Sequence, residues 1–168
     1  AACSDDDGAA GTTAAGQTTN AGSEGGIDCS SVLSLDDVAA LFGEPAVFDA
    51  ENSEAEPAAG TLDCVWATVE SEDDLEDLQV QLFQIQVYQG VEYYNPDVQF
   101  DEWEPVAGIG DEAFVSPQLG VSTGFKQGSL VAFLTYSVIG TGDAPDSFTK
   151  KDQVLDLLHR ALPNLERV

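Results

Sequence analysis

Apolar residues recur at every second position along the middle of the chain, and this alternation is the strongest constraint on its fold. Period-two alternation is typical of β-strands, because successive side chains point to opposite faces of a sheet. The pattern predicts five strands, at 61–69, 78–88, 112–116, 120–126 and 130–139. The short connections SPQLG at 116–120 and KQGS at 126–129 favour hairpins, and therefore antiparallel pairing.

The predicted strand 78–88 changes phase in its middle. Up to and including Leu82, apolar residues alternate with glutamines in one phase. From Phe83 onward they alternate with glutamines in the opposite phase. One extra residue at this point, a β-bulge, would return all the apolar side chains to one face and all the glutamines to the other. We therefore expect a bulge near Leu82–Phe83 and a solvent-facing row of glutamines.

Two helices bracket the strands. The first is predicted to begin after Ser34, which forms a capping box with Asp37, and to end at Gly43. The second is predicted to begin after Thr149 and to end before Pro163. Its apolar stripe consists of Val154, Leu155, Leu158 and Leu162. The order predicts an α+β fold, a mostly antiparallel five-stranded sheet with an N-terminal and a C-terminal helix packed on one face.

The first 28 residues have a different composition from the rest. They are rich in Gly, Ala, Thr and Ser and contain no aromatic residue. Such a segment cannot bury enough apolar surface to offset the entropy lost on folding. We therefore expect residues 1–28 to form a disordered tether and residues 29–168 to form a single globular domain.

The three cysteines are predicted to have different roles. Ala1-Ala2-Cys3 resembles the last three positions of a bacterial lipobox, so Cys3 is expected to carry a lipid; a chance terminal cysteine is the alternative. Cys29 and Cys64 then remain as a pair. We expect them to form a disulfide worth about 3–4 kcal/mol, with two buried free thiols as the alternative. Neither cysteine has the spacing of a zinc site.

The charge of the chain is extreme and uneven. There are 31 acidic and 5 basic residues, a formal net charge of −26, and no base precedes Lys126. Such a surface repels phosphates, which excludes nucleic acid and anionic lipid headgroups as partners. Solubility or a halophilic host explains the acidity, and a cationic ligand is the alternative. The sequence contains no apolar run long enough to cross a membrane.

No residue set predicts catalysis, a cofactor or a structural metal. The single histidine, His159, falls near the end of the second helix, so we expect the protein not to be an enzyme. The acidic run 70–77 lacks the EF-hand order and is expected to be a solvated hairpin tip, although weak calcium binding stays open. Gly108–Asp111 precedes a strand and lacks a lysine, which predicts a tight turn and not a phosphate loop.

Aromatic residues are concentrated in the irregular region 88–103. They are Tyr88, Tyr93, Tyr94, Phe100 and Trp103. Core packing explains most of such a cluster, but tyrosine and tryptophan are also favoured in recognition surfaces. We therefore consider Tyr93, Tyr94 and Trp103 a possible binding lip that borders a groove.

Several of these features occur together in one known group of proteins. They are Cys3, the tether, Cys29, the helix SLDDVAALFG, the run DCVWA containing Cys64, the turn and strand VAGIGDEAFV, and the closing helix. In this order and spacing, over about residues 30–165, the chain resembles small actinobacterial cell-envelope lipoproteins of uncharacterised function. The resemblance implies an α+β extracytoplasmic lipoprotein and carries no catalytic residues over. The long acidic loop 70–77 departs from it.

The expected function follows from these points. We expect a protein that is anchored to the extracytoplasmic face of the cell membrane through Cys3. There it would act as a non-catalytic interaction or accessory module of the cell envelope, with an unknown envelope protein as its partner. The alternative is a carrier or sensor that binds a small apolar or cationic ligand between sheet and helices, which requires a cavity there.

Overall fold

The structure is a computed structural model, and it describes residues 29–56, 60–68, 79–140 and 146–166. Cys3, the tether and the acidic run 70–77 lie outside the described residues. The helices are α1 (Cys29–Val32), α2 (Leu35–Phe42), α3 (Pro96–Gln99) and α4 (Lys151–Leu165). The strands are β1 (Ala46–Phe48), β2 (Glu54–Glu56), β3 (Thr61–Thr68), β4 (Gln79–Gln89), β5 (Glu104–Val106), β6 (Glu112–Ser116), β7 (Val121–Gln127) and β8 (Leu130–Gly140).

The strands form one open antiparallel sheet. Seven of them follow the path β1-β3-β4-β8-β7-β6-β5, and β2 pairs with β3 beside this path. The predicted α+β fold and antiparallel sheet are thus confirmed, whereas the predicted number of five strands is wrong. The strands missed from the sequence are β1, β2 and β5. Each has only three residues, which is too few to show an alternating pattern.

The strand register divides the side chains between two faces. Trp66, Phe83, Tyr136 and Val121 lie opposite one another across β3, β4, β8 and β7, so they share one face. We call this the helix face, because its side chains belong to the same buried core as those of α2 and α4. We call the other face the open face. Phe114 on β6 lies on the open face and is fully buried, yet it is separate from that core.

The predicted bulge in β4 is wrong. The pairing of β4 with β8 is continuous from Gln79 to Gln89, so Leu82 lies on the open face and Gln81 on the helix face. Gln81 is tolerated there because its side chain is hydrogen-bonded: Tyr136 Oη donates to Gln81 Oε1 at 2.7 Å, and Gln81 Nε2 donates to the Phe42 carbonyl at 3.2 Å. The apolar side chains therefore change from the open face to the helix face between Leu82 and Phe83, and β4 contains no extra residue there.

Helix α2 begins and ends where the sequence predicts. The Asp37 backbone N–H donates to Ser34 Oγ at 3.2 Å, and the Ser34 N–H donates to Asp37 Oδ2 at 3.3 Å. These two bonds complete the capping box. Gly43 ends the helix at φ +81°, a left-handed conformation that glycine adopts without strain.

Helix α4 differs from the prediction at both ends. Asp146 caps a 3-10 turn that runs into the helix, and Thr149 donates its hydroxyl to the Asp146 carbonyl instead of capping. The helix also continues through Pro163 to Leu165. Its last turn is held by tertiary contacts, because Leu165 is fully buried and Asn164 Nδ2 donates to the Val32 carbonyl at 3.1 Å.

The helices cover the helix face with apolar side chains. The buried residues of α2 are Val38, Leu41 and Phe42, and those of α4 are Val154, Leu157, Leu158, Ala161 and Leu165. The predicted disulfide is confirmed, since Cys29 of α1 is bonded to Cys64 of β3 with a Cα–Cα distance of 5.7 Å. Among the described helices, none combines the length and apolarity needed to span a membrane.

Candidate functional site

The open face is crossed by an irregular stretch of chain. After β4 the chain turns at Gly90, whose φ of +140° favours glycine. It then forms a 3-10 turn at Val91–Tyr93 and the short helix α3, before it enters β5. We call residues 91–103 the aromatic segment. It lies on the side of the sheet that α2 and α4 do not cover.

Phe114 anchors the aromatic segment to the sheet. Four rings surround it, with centroid distances of 5.0 Å to Phe100, 5.8 Å to Tyr94, 6.2 Å to Trp103 and 6.2 Å to Phe133. Gly124 lies opposite Phe114 in β7, and a Cβ at this position would approach the Phe114 ring to 2.6 Å. The glycine therefore makes room for the ring, and the rings hold the segment in place.

Tyr93 is the most exposed aromatic ring of the segment. Its side chain is 45% exposed, and its ring stacks on Tyr88 with a centroid distance of 4.8 Å and an angle of 19° between the planes. Tyr88 contacts Phe133 edge to face at 6.1 Å, which connects the tyrosine pair to the ring cluster. Val91 and Val98 are 54% and 79% exposed. We call Val91, Tyr93 and Val98 the exposed rim.

The three residues of the predicted lip are close in the chain but have different environments. Tyr93 belongs to the exposed rim, whereas Tyr94 and Trp103 are half-buried against Phe114. Trp103 Nε1 donates to Asp97 Oδ1 at 3.1 Å, and so its polar atom has a partner within the segment. Core packing accounts for Tyr94 and Trp103, and the lip stays a prediction that Tyr93 supports best. Reasoning from the sequence missed Val91, Val98 and the anchor Phe114.

The hydroxyls of Tyr88 and Tyr94 on the open face are held in their neutral form. Burial, together with the charge of Glu112, raises the pKa of Tyr94 to about 12. Burial also raises the pKa of Tyr88, with smaller contributions from Asp63 and Tyr93. These hydroxyls are therefore hydrogen-bonding groups near neutral pH, not proton-transfer groups.

A row of polar side chains lies beside the tyrosine pair. Gln84 Nε2 donates to Asp63 Oδ1 at 2.9 Å, and Gln86 Nε2 donates to Asp63 Oδ2 at 3.1 Å. We call these three residues the polar ladder. All three are partly exposed, and Gln84, Gln86 and Tyr88 share the open face of β4. Among the described residues, no hydrogen-bond partner is found for the side-chain oxygen Oε1 of Gln84 or of Gln86.

Open grooves also lie elsewhere on the surface of the described residues. A groove of about 320 Å³ lies between α2 and α4, where Arg160 forms ion pairs with Asp37 and with Asp156. A second groove of about 410 Å³ lies beside β1 and includes Val47. Between the sheet and the helices, where a carrier needs its cavity, the layer is occupied by large buried side chains such as Phe83 and Leu158.

The turn Gly108–Asp111 and His159 are the remaining sequence candidates among the described residues. Ile109 is buried, and the Asp111 N–H donates to the Lys126 carbonyl at 2.8 Å, so Gly108–Asp111 forms a turn that is fixed against β7. His159 is exposed on α4. Within the described ranges, no three His, Cys, Asp or Glu side chains lie close enough together to hold a metal ion.

Comparisons with known proteins found no match. No protein-family model matches the chain, and neither a curated protein nor a solved structure matches it. The geometry of the open face is therefore the main guide to function.

Proposed function

We propose that this protein is a membrane-anchored extracytoplasmic lipoprotein whose folded part is a non-catalytic interaction module of the cell envelope. Its lipid is attached at Cys3, and its interaction surface is the exposed rim on the open face. The observation that carries the proposal is the exposure of Val91, Tyr93 and Val98 within eight residues, on a segment anchored by Phe114. Exposed apolar side chains that cluster on a rigid support are typical of protein recognition surfaces.

The extracytoplasmic location has separate support from the disulfide. Cys29 and Cys64 are bonded, and structural disulfides persist mainly in oxidising compartments outside the cytoplasm. The resemblance to small actinobacterial envelope lipoproteins points to the same location, with Cys3 as the anchor. The packed layer between sheet and helices supports an interaction module over a carrier, because a carrier needs an internal cavity.

The anchor is tested by replacing Cys3. The full chain is expressed behind a lipoprotein signal peptide in a bacterium, and the cells are labelled with a radioactive fatty acid. The wild-type chain should incorporate the label and partition into detergent, whereas Cys3→Ser should do neither. Cys29→Ser in combination with Cys64→Ser is the control and should still be labelled. An unlabelled wild-type chain would contradict the anchor.

The interaction surface is tested by site-specific photo-crosslinking in the intact envelope. A photoreactive amino acid replaces Val98 on the rim in one variant and His159 on α4 in the other, since both positions are exposed. We expect discrete adducts from position 98 and none of the same mass from position 159. Identical adduct patterns from both positions would mean that the open face is not the interaction surface.

A further inference from the structure

The tyrosine pair and the polar ladder form one continuous surface. Tyr88, Gln86 and Gln84 alternate along the open face of β4, and Asp63 lies opposite Gln86 in β3. The four residue steps from Gln84 to Tyr88 span about 13 Å of extended strand, which suits a chain of several linked units better than one small molecule. Phe133 and Thr135 of β8 lie beside the two glutamines and extend the surface toward the ring cluster.

The tyrosine pair keeps the Tyr93 side chain partly exposed to solvent. One face of the Tyr93 ring is stacked on Tyr88, and the side chain is still 45% exposed. An aromatic ring carries partial negative charge on its faces. It therefore attracts the row of C–H groups on one side of a sugar ring, whose hydrogens carry partial positive charge.

The polar ladder supplies the hydrogen-bonding groups that neighbouring sugar hydroxyls require. A glutamine amide both donates and accepts, and a carboxylate accepts at two oxygens. Here Asp63 fixes the amide nitrogens of Gln84 and Gln86, so the three side chains are already oriented before a ligand arrives. Such preorganisation lowers the entropic cost of binding.

The charges on this surface argue against an ionic ligand. Asp63 is the only charged member of the ladder, and its carboxylate already accepts hydrogen bonds from two amides. The nearest base described on this face, Lys126, pairs with Glu112 at 2.8 Å and lies over the Tyr94 ring. An anionic ligand would thus meet a chain of net negative charge, at a face whose described base, Lys126, is already paired with a carboxylate.

We propose that the tyrosine pair and the polar ladder together bind a neutral polysaccharide. A sugar ring lies against Tyr93, and hydroxyls of the adjoining sugars bond to Gln84, Gln86 and Asp63. This inference goes beyond the proposed function, since it gives the open face a polysaccharide site that shares Tyr93 with the exposed rim.

The test is affinity electrophoresis of the full chain in native gels that contain dextran, mannan or galactan. At least one of these neutral polysaccharides should retard the wild-type chain, and high salt should leave the retardation unchanged, because no ion pair is formed. Polygalacturonate is the anionic control and should not retard it. If none of the three neutral polysaccharides retards the chain, the inference is overturned.

Variants separate ring stacking from general apolar contact. Tyr93→Ala and Tyr93→Leu should each weaken retardation by about tenfold or more, whereas Tyr93→Phe keeps the ring and should change it less than about twofold. Gln84→Ala combined with Gln86→Ala should weaken it as strongly. The control is Gln153→Ala on α4, an exposed position outside the open face, and this variant should bind like the wild type.

The outcome also distinguishes this inference from the proposed function. All these variants change exposed or partly exposed side chains, and near-ultraviolet circular dichroism confirms that they fold. Protein adducts from position 98 without any polysaccharide retardation would overturn the polysaccharide site and leave the interaction module standing. Retardation that is indifferent to Tyr93 and to the glutamines would place the sugar elsewhere and equally overturn the inference.

Discussion

The two faces of the sheet are covered in different ways. On the helix face, α4 buries five side chains completely and exposes most of its polar residues to water. On the open face, the aromatic segment buries none of its side chains completely, yet its rings keep Phe114 at 0% exposure. A helix presents a continuous apolar stripe, whereas an irregular segment needs large rings to cover the same area. The irregular cover leaves an exposed rim, and the exposed rim is where we place function.

The largest effect should come from removing a large ring from either face. Trp66→Ala on the helix face should lower the free energy of unfolding by about 3–5 kcal/mol, because it leaves a cavity in a packed core. Phe114→Ala on the open face should cost a similar amount. Chemical denaturation with urea measures both values.

The two variants should differ in local stability. Phe114→Ala removes the ring that Tyr94, Phe100 and Trp103 contact, so limited proteolysis should cleave the aromatic segment faster than in the wild type. Trp66→Ala, at matched global stability, should not accelerate cleavage there. Equal protection of the segment in both variants would show that Phe114 is not its anchor.

The next-largest loss of stability should come from removing the disulfide, and we expect this change to affect only the helix face. Replacing Cys29 and Cys64 together by serine should cost about 3–4 kcal/mol, since the bond closes a loop with a sequence separation of 35. Thermal unfolding with and without reductant measures the loss in the wild type. In the double serine variant, photo-crosslinking from position 98 should persist at temperatures below that at which the variant unfolds. Its disappearance from the folded variant would show that the two faces are coupled.

A smaller effect is expected from crowding the open face. Gly124→Ala places a Cβ at 2.6 Å from the Phe114 ring and 2.7 Å from the Phe133 ring, so both rings must move. We expect a cost of about 1–3 kcal/mol in the free energy of unfolding. Combining it with Phe114→Ala provides the control, because the clash with that ring is then absent. Full additivity of the two losses would contradict the contact.

The smallest effect should come from alkaline titration of Tyr94. Its pKa rises from 10.0 to about 12 on folding, so between these values the unfolded chain releases a proton that the folded protein retains. This contribution to stability is complete below pH 10 and is lost as the pH rises toward 12. The free energy of unfolding should therefore fall more steeply over this range in the wild type than in Tyr94→Phe. Identical slopes would mean that Tyr94 is not shielded from solvent.

Local signals in the sequence were enough where neighbouring residues decide the structure. Ser34, Asp37 and Gly43 predicted both ends of α2, because caps involve residues a few positions apart. The connection at 126–129 was predicted for the same reason, and β7 and β8 are joined there by Gly128 and Ser129. The disulfide could be predicted because the expected lipid site, Cys3, left Cys29 and Cys64 as a pair, although whether Cys3 carries a lipid stays a prediction.

The candidate site could be predicted only in part. The sequence indicates where the aromatic residues are concentrated, and so it named Tyr93, Tyr94 and Trp103. Which of them is exposed depends on Phe114 and Gly124, which lie on other strands. The polar ladder could not be predicted because it joins side chains of β3 and β4, and their positions depend on how the two strands pair. The expected bulge would have changed that pairing.

The sequence by itself thus determined the type of fold, helix α2, the hairpin between β7 and β8, and the disulfide pairing. Only the tertiary structure decided the face of Gln81, the continuation of α4 past Pro163 and the three short strands. It also decided which aromatic residues are exposed and which are half-buried. The physical reason is the range of the interactions involved. Caps and tight turns form between neighbours in the chain, whereas Leu165, Gln81 and Tyr94 take their environment from residues that are distant in sequence.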